Sequence, residues 1–332
     1  MKEGQEMTEM KAGPVYSLAP LEGTTGFIFR NAFAAFFPSV KRYYTPFMAP
    51  GPEKLLTKRQ LEDVRPENNR GICLVPQVMT CRADVFRAAA DILMDMGYDE
   101  IDLNLGCPSG TVTAKGKGSG FLRSPDELKE FLDDVTRIPG LKVSVKTRIG
   151  YADQAEWEEL LRIYKSVPLS ELIIHPRLRT EFYRGAVHTD CFSAAYEERC
   201  WPLVYNGDVF SEADASRVLG AFPGISGIMI GRGFLMDPCL ADRLPGTEGK
   251  GLPRSEKAER EKLRLFHERL FSDLSDHYGD PGPVLAKCKE VWDYLRLRFP
   301  DREREIKKVK KAKSLSEYRA RAEAVFAESA EA

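Results

Sequence analysis

Short apolar runs alternate with amphipathic stretches along the first 240 or so residues. Runs with the two-residue period of a strand predict β-strands over 15–19, 42–45, 72–77, 100–105, 143–148, 171–175, 202–206 and 227–230. Between most of them, apolar residues recur at helical spacing, as in 82–96, which stops at Gly97. A left-handed residue fits such a helix end. The pattern predicts about eight strand–helix units.

Two serines indicate where helices begin. Ser124 precedes Pro125 and stands three residues before Glu127, which predicts a capping box with proline in the first turn. Ser211 predicts the start of another helix, which ends at Gly220. These boundaries support the alternation of strands and helices.

Polar residues at the ends of the strands decide between two architectures. Alternating units suit a (β/α)8 TIM barrel, with a doubly wound open sheet as the alternative. A barrel interior is normally packed with apolar side chains, so inward polar residues belong at its open, C-terminal mouth. Six strands end in such residues, and we favour the barrel because of Gln77, Asn104, Lys146, Arg148, His175, Asn206 and Arg232.

Composition divides the chain into three parts. The polar residues 1–13 predict a disordered N-terminal tail, and 14–245 form the barrel domain. A Gly/Pro/charge-rich linker at 246–253 leads to 254–332, where apolar residues recur at helical spacing. This last part predicts a small all-helical domain.

Charge and cysteine content narrow the class of protein. The net charge of −1 gives no global basic field, but 302–313 carries seven basic and two acidic residues. That run is either a solvated helix face or a polyanion-binding surface. The seven cysteines are scattered without a Cys-x-x-Cys pair, which argues against a disulfide framework and a zinc or iron–sulfur site. With no signal peptide and no membrane-length apolar stretch, we expect a soluble cytoplasmic protein, monomeric by default and without a metal.

Cys107 is the leading candidate for chemistry. It lies between Gly106 and Pro108, after a strand and before a glycine-rich loop over 110–120 that we expect to be mobile. A buried thiol, a nucleophile and a general acid are the three interpretations. We favour the general acid because no histidine lies close in sequence to activate the thiol.

Two loops and two strand ends predict a phosphorylated cofactor. The segments 206–208 and 231–233 follow the last two strands, where barrels often bind phosphate. Lys146 is either paired with a carboxylate such as Asp102 or a fixed positive charge beside a cofactor. His175 is a candidate hydrogen-bond donor to the same cofactor. No His, Asp and Glu residues have metal-ligand spacing.

These motifs resemble tRNA-dihydrouridine synthases from about residue 14 to 240, and the helical tail resembles that family's tRNA-binding domain more loosely. The motifs are 19–23 with 29–30, Gln77, 104–108, 118–122, 145–148, 175–179 with 183–185, 206–208 and 231–233. Residues 21–22, 176, 178 and 188–190 depart from the commonest pattern. These departures leave the target uridine open.

The resemblance implies an FMN-dependent reduction of a D-loop uridine in tRNA at its 5,6 double bond. NADPH, with NADH as the alternative, reduces the flavin. Hydride then passes from nitrogen 5 of the flavin to carbon 6 of the uracil, and Cys107 protonates carbon 5. The cofactor-binding residues that it implies are Pro20, Leu21, Glu22, Gln77, Lys146, His175, Asn206, Gly207, Asp208, Gly231 and Arg232.

The tRNA contacts that the resemblance suggests lie on both parts of the chain. We assign them to Asn104, Arg148, Arg177, Arg179, Lys307, Lys308, Lys310 and Lys311. Two alternative functions stay open: another FMN barrel that acts on a small molecule, such as a dihydroorotate or dihydropyrimidine dehydrogenase-like enzyme, and a non-catalytic tRNA-binding protein.

Overall fold

The computed structural model describes residues 13–51, 55–248 and 255–327. Within them, parallel strands form one sheet in the order β3-β2-β1-β9-β8-β7-β6-β5-β4. The strands are β1 Val15–Leu18, β2 Arg42–Tyr44, β3 Cys73–Val75, β4 Gln77–Val78, β5 Glu100–Leu105, β6 Lys142–Gly150, β7 Glu171–Leu178, β8 Leu203–Tyr205 and β9 Gly227–Ile230. The predicted TIM-barrel architecture is confirmed.

The third predicted strand is broken in two. Pro76 separates β3, which pairs with β2, from β4, which pairs with β5. Proline has no N–H to give to a ladder. An isolated parallel bridge from Met48 to Val78 spans the break, so the barrel is nearly closed although its sheet begins and ends at this strand.

Helices follow the strands and cover the outside of the barrel. They are α1 Phe27–Phe36, α2 Lys58–Val64, α3 Ala83–Asp95, α4 Gly110–Thr113, α5 Pro125–Val135, α6 Glu156–Lys165, α7 Thr189–Glu198, α8 Glu212–Ala221, α9 Arg232–Met236 and α10 Leu240–Arg243. The C-terminal helical part, called the tail from here on, adds α11 Glu256–Tyr278, α12 Pro281–Leu295, α13 Glu303–Lys310 and α14 Leu315–Phe326. No helix in the described segments is long and apolar enough to cross a membrane.

Both predicted helix starts are confirmed, at Pro125 and Glu212, but only one of them has the predicted side-chain cap. Ser211 accepts a hydrogen bond from the Asp214 N–H at 3.2 Å, as an N-cap should. Ser124 makes no capping hydrogen bond, so the predicted capping box is absent. The backbone ψ of Ser124 is 70°, whereas that of Ser211 is 165°. The extended backbone of Ser211 is typical of an N-cap, and Ser124 lacks it.

The helical tail packs on the barrel through an aromatic cluster. Phe266 of α11 lies 5.8 Å from Phe29 and 6.1 Å from Phe33, between ring centroids, and also contacts Phe36 and Phe37. Ion pairs border the cluster, including Arg243–Glu259 at 2.8 Å and Lys262–Asp242 at 2.6 Å. One cluster of buried apolar side chains runs through both parts. The tail therefore has a fixed position beside the barrel mouth.

The predicted N-terminal tail and linker are mostly outside the described residues. Of residues 1–13 only Gly13 is described, and of the linker only 246–248. The division into a catalytic and an RNA-binding domain stays a prediction.

Candidate active site

A cleft of about 390 Å³ opens at the C-terminal mouth of the barrel. Its walls come from the loops that follow β1, β5, β8 and β9, and its floor comes from side chains of the strands. Every cofactor residue predicted from the sequence lines it, together with Cys107, Asn104 and Arg148. The barrel thus brings together residues that are more than 200 positions apart in the chain.

Hydrogen bonds fix the backbone N–H and carbonyl groups of Cys107 and of Gly106 before it. Asn104 Oδ1 accepts hydrogen bonds from the N–H groups of Gly106 at 3.1 Å and Cys107 at 2.9 Å. The carbonyl of Cys107 accepts from the hydroxyl of Ser119 at 2.8 Å. Arg148 Nε donates to the Gly106 carbonyl at 2.9 Å. Because these contacts come from β5, from the segment around Ser119 and from the neighbouring strand β6, the thiol has a defined place in the cleft.

The glycine-rich segment after Cys107 is a packed support rather than an open loop. Residues Gly118–Arg123 form a 3-10 helix whose first five residues are buried. Gly118 has a φ of +55°, and a Cβ there would lie 2.9 Å from the Cys107 carbonyl oxygen. The end of the segment 110–120 is therefore closely packed, because glycine here permits close approach of the backbone, and the mobility of the segment stays a prediction.

The surroundings of Cys107 keep its thiol protonated. Burial raises the pKa of Cys107 above its ordinary value, against the smaller opposing effects of a backbone hydrogen bond from Ser109 and the charges of Arg148 and Lys146. A group that holds its proton at neutral pH can donate it during a reaction. The electrostatics therefore favour an acid over a thiolate nucleophile.

Lys146 is a positive charge at the floor of the cleft. Among the described residues, no acceptor lies within hydrogen-bond distance of its ammonium group, so of the two interpretations given above the ion pair with Asp102 is absent. Burial, with the neighbouring charge of Arg148, lowers the pKa of Lys146 to about 8. Asp102 instead accepts from Gln77 Nε2 at 2.7 Å and from the Ser144 hydroxyl at 3.0 Å.

His175 is neutral in this setting. Burial and the charges of Arg148 and Lys146 lower its pKa well below the ordinary value. Arg177 Nη1 lies 3.3 Å from His175 Nε2. Because a guanidinium can only donate, Nε2 is the acceptor and Nδ1 carries the proton. In this tautomer the donor of His175 is Nδ1, and its role towards a cofactor stays a prediction.

The two predicted phosphate loops are joined to each other. Asn206 Nδ2 donates to the Met229 carbonyl at 2.8 Å, which ties the end of β8 to β9. Asp208 accepts from Arg177 at 3.0 Å and from Arg232 at 2.8 Å. Two guanidinium groups around one carboxylate leave this end of the cleft positively charged, which suits an anionic ligand.

The residues assigned to RNA differ in how accessible they are. Arg148 and Arg177 are 1% exposed, and their donors are used within the protein: Arg177 binds Asp208, and Arg148 binds the carbonyls of Gly106 and Leu178. Arg179 reaches the rim, where it donates to Thr113 at 3.2 Å. For the buried pair, the contacts indicate support of the site rather than a surface for RNA.

The lysines of the tail form part of α13 and its end. Lys307, Lys308 and Lys311 are exposed, whereas Lys310 is half-buried and paired with Asp293 of α12. Lys307 pairs with Glu303 at 2.7 Å. The basic run is thus a solvated helix face that still presents cations.

Two tyrosines of the cleft were missed as site residues. Tyr183 is 53% exposed and lies with its ring 4.9 Å from the Arg232 guanidinium and 5.4 Å from that of Arg148. Tyr183 belongs to the motif 175–179 with 183–185, which follows a predicted strand end, and this position could have indicated that it lies at the site. Tyr294 comes from α12 of the tail, and no local pattern predicts that a tail residue lines a barrel mouth.

Among the described residues there is no disulfide bond and no candidate metal site. All seven cysteines are free. In the ranges given above, no three His, Cys, Asp or Glu side chains cluster as metal ligands do. Burial raises the pKa of Glu22, which lines the cleft beside Pro20 and Leu21.

This fold and cleft define a (β/α)8-barrel enzyme with its site at the carboxyl ends of the strands. Two solved structures share the fold: morphinone reductase, with a TM-score of 0.50, 13% identity and coverage of 74% of this chain and 88% of that one, and the old yellow enzyme from Trypanosoma cruzi, with a TM-score of 0.51, 9% identity and coverage of 80% and 93%. At such identities the likeness shows the architecture alone.

Sequence comparison identifies the family. The model of the dihydrouridine synthase family matches residues 17–330. A probable tRNA-dihydrouridine synthase of Staphylococcus epidermidis (strain ATCC 12228 / FDA PCI 1200) is 32% identical over 274 residues, which cover 79% of this chain and 82% of the relative. The tRNA-dihydrouridine synthase B of Pasteurella multocida (strain Pm70) is 29% identical over 281 residues, which cover 84% of this chain and 83% of the relative. The chain belongs to the dihydrouridine synthase family and is an oxidoreductase of that family.

Proposed function

We propose that this protein reduces a uridine of tRNA to dihydrouridine, with FMN as cofactor, NADPH as electron donor and Cys107 as general acid. Family membership and the names of its relatives support the tRNA substrate. The observation that carries the mechanism is the arrangement of one cleft, in which a protonated thiol faces a space also lined by a buried lysine and two loops suited to phosphate.

The residues of the cleft fit a flavin mononucleotide. The volume of about 390 Å³ is within the range of ligand pockets. One end carries the arginines around Asp208 and the glycines of 206–208 and 231–233, which suit a phosphate. Lys146 offers an ammonium group with no acceptor among the described residues. We infer that Pro20, Leu21, Glu22, Gln77 and His175 complete the binding site.

Lys146 and His175 prepare the site for reduction chemistry. FMN, when bound and reduced, supplies the hydride that adds to carbon 6 of the uracil. The charge of Lys146 would favour a cofactor that becomes negative on reduction, because a fixed charge in a desolvated site acts strongly. His175 contributes a neutral donor through Nδ1, which adds no further charge.

Cys107 completes the addition at the other carbon. Its Sγ–H bond breaks as the proton passes to carbon 5 of the uracil, and the thiolate that results is stabilised by the nearby charges of Arg148 and Lys146. Proton donation from a positioned acid contributes on the order of 10²–10⁴-fold to a rate. Solvent then returns the proton to the sulfur.

The tail supplies the RNA-binding surface in this proposal. Lys308 and Lys311 are exposed cations on and beside α13, and α13 is tied to α12, the helix that carries Tyr294, by the Lys310–Asp293 ion pair. The target base must leave its stack to reach the cleft floor, as in other enzymes that act on a single base. Arg179 at the rim is placed to meet the flanking nucleotides.

Dihydrouridine mapping tests the proposal directly. Purified protein, FMN, NADPH and an unmodified tRNA transcript are incubated, and nuclease fragments are weighed for the two extra hydrogens of dihydrouridine. The same mapping is done on tRNA from cells with and without the chain. We expect dihydrouridine at a D-loop position that disappears with the chain. Its persistence at every position in cells lacking the chain, together with no product from the purified protein, would refute the function.

A further inference from the structure

A chain of buried hydrogen bonds links the barrel interior to Cys107. Asp102 Oδ2 accepts from Gln77 Nε2 at 2.7 Å, and Gln77 Oε1 accepts from Asn104 Nδ2 at 2.7 Å. Asn104 Oδ1 in turn accepts from the N–H groups of Gly106 and Cys107. The three side chains lie on the neighbouring strands β4 and β5, and each is oriented by the one before it.

Asp102 holds one end of this chain, and the backbone N–H groups of Gly106 and Cys107 hold the other. Its two oxygens are hydrogen-bonded to Gln77 Nε2 and to the Ser144 hydroxyl, and the ionised form of a carboxylate can only accept. The amide of Gln77 must therefore turn its NH2 group towards Asp102 and its oxygen towards Asn104. The amide of Asn104 must then turn its oxygen towards Cys107, because its NH2 group is already used.

Burial makes the alternatives costly. Asp102 and Gln77 are 0% exposed and Asn104 is 6% exposed. Water cannot replace a lost partner at such positions, so an amide in the wrong orientation would leave buried donors facing donors. Without Asp102, the NH2 group of Gln77 would lose its acceptor, and the orientation of the Gln77 amide would depend on the Asn104 contact alone.

The ammonium group of Lys146 lies close to Asp102, the carboxyl group inside the barrel. Asp102 pairs in register with Ser144, and Asn104 pairs with Lys146, so Lys146 lies one inward position further along the neighbouring strand. Burial raises the pKa of Asp102 to about 7, while the hydrogen bonds from Gln77 and Ser144 and the charge of Lys146 act in the opposite direction. The carboxyl group of Asp102 thus lies below the ammonium group of Lys146 in the barrel.

We propose that Asp102 is a positioning residue for the reaction: its carboxylate orients the Gln77 and Asn104 amides, and through them the backbone that carries the Cys107 thiol. The proposal rests on the proposed function for its kinetic consequence, but the hydrogen-bond chain itself can be tested in the protein without cofactor or tRNA.

Two substitutions separate orientation from mere loss of a side chain. Asp102→Ala removes the acceptor that orients Gln77. Asp102→Asn keeps one: its amide oxygen can face Gln77 while its NH2 group donates to Ser144. The matched control is Glu171→Ala, which removes another buried carboxylate of the barrel interior, held by Tyr44 at 2.7 Å and outside the chain to Cys107.

Hydrogen exchange of the segment 104–109 is the first measurement. Its informative amides are those of Gly106 and Cys107, since Pro108 has none. We expect exchange at these two amides to be at least about tenfold faster in Asp102→Ala, and close to wild type in Asp102→Asn and Glu171→Ala, because only the first frees the amide chain. Equal acceleration in Glu171→Ala, or none in Asp102→Ala, would overturn the proposal.

Single-turnover reduction of tRNA by pre-reduced enzyme is the second measurement. We expect the rate constant of Asp102→Ala to fall about 100-fold, as for a misplaced catalytic group, with tRNA affinity unchanged and with most of the loss recovered in Asp102→Asn. A loss shared by Asp102→Asn would show that charge rather than orientation matters, and would overturn the proposal. If wild-type protein reduces no uridine, the proposed function fails, while the exchange comparison still decides the positioning role.

Discussion

At the scale of residues, the site depends on which groups keep or lose their protons. Cys107 and Lys146 are shifted in opposite directions by the same cause, since burial disfavours the thiolate of one and the ammonium of the other. His175 is held neutral by burial and by the positive charges around it. The cleft thus combines a retained acid, a titratable cation and a neutral donor.

Replacing Cys107 separates catalysis from binding. Cys107→Ala should lower the single-turnover rate of uridine reduction by about 10²–10⁴-fold, because the proton donor is lost. FMN binding, followed by flavin fluorescence, and tRNA binding should change little, since the backbone contacts of Cys107 do not involve the thiol. Loss of flavin from this variant would contradict the assignment.

The charge of Lys146 predicts an alkaline limit to activity. With a pKa of about 8, Lys146 is charged below that pH and neutral above it, so the rate of FMN-dependent reduction should fall as the pH rises through 8. Lys146→Arg retains a cation at higher pH, so the fall in its rate should occur at a higher pH than in the wild-type protein. Rates measured from pH 6 to 10 check this, and a fall at the same pH in Lys146→Arg would assign the titration to another group.

At the scale of elements, the support under Cys107 is a short helix that only glycine allows. Gly118–Arg123 packs so closely that a Cβ at Gly118 would meet the Cys107 carbonyl and Val112, and one at Gly120 would lie 2.6 Å from the Thr113 carbonyl oxygen. The glycines therefore determine how near this segment comes to the backbone of Cys107, just after β5.

Two glycines of this segment provide a matched pair. Gly116 and Gly118 both have positive φ, of +65° and +55°, but only at Gly118 would a Cβ meet other atoms within 4 Å. Gly116→Ala should cost about 1–2 kcal/mol of unfolding free energy from backbone strain alone. Gly118→Ala should cost more and should also slow uridine reduction at least tenfold by displacing Cys107, as small misplacements do. Urea unfolding and single-turnover assays check both, and equal effects of the two variants would contradict this account.

At the scale of the whole molecule, the tail is a wall of the active site as well as a candidate RNA surface. Phe266 anchors α11 on α1, Lys287 of α12 donates to the Gly23 carbonyl, and Tyr294 lines the cleft. Removing the tail would expose this aromatic cluster and open the site. Surface substitutions therefore test RNA binding more cleanly than truncation does.

Charge reversal on the tail should weaken tRNA binding in a salt-dependent way. The double variant Lys308→Glu and Lys311→Glu should lower tRNA affinity and reduce the slope of log affinity against log salt by roughly 1–2, since each lost phosphate contact lowers it by about one. The control is Lys41→Glu with Lys142→Glu, which changes the same charge at exposed sites beside the N-terminal ends of β2 and β6. Equal losses in the two double variants would indicate a nonspecific charge effect.

Much of this molecule follows from local sequence, because strand and helix periods depend on near neighbours along the chain. The alternation predicted all the barrel strands and placed Cys107, Lys146 and His175 at their ends, which closure of the barrel turns into one cleft. The break at Pro76 and the strand extensions of β6 to Gly150 and β7 to Leu178 were missed, since pairing with neighbours decides where a ladder continues.

Only the tertiary structure decided which buried polar groups meet. Asp102, one possible partner of Lys146, holds Gln77, which lies 25 positions away in the chain, and Arg177, assigned to RNA from the sequence, binds Asp208. The sequence by itself determined the residue types at the mouth of the barrel. Their partners were settled by closure of the sheet and docking of the tail, because a buried hydrogen bond depends on side chains from distant segments arriving at the same point with matching donors and acceptors.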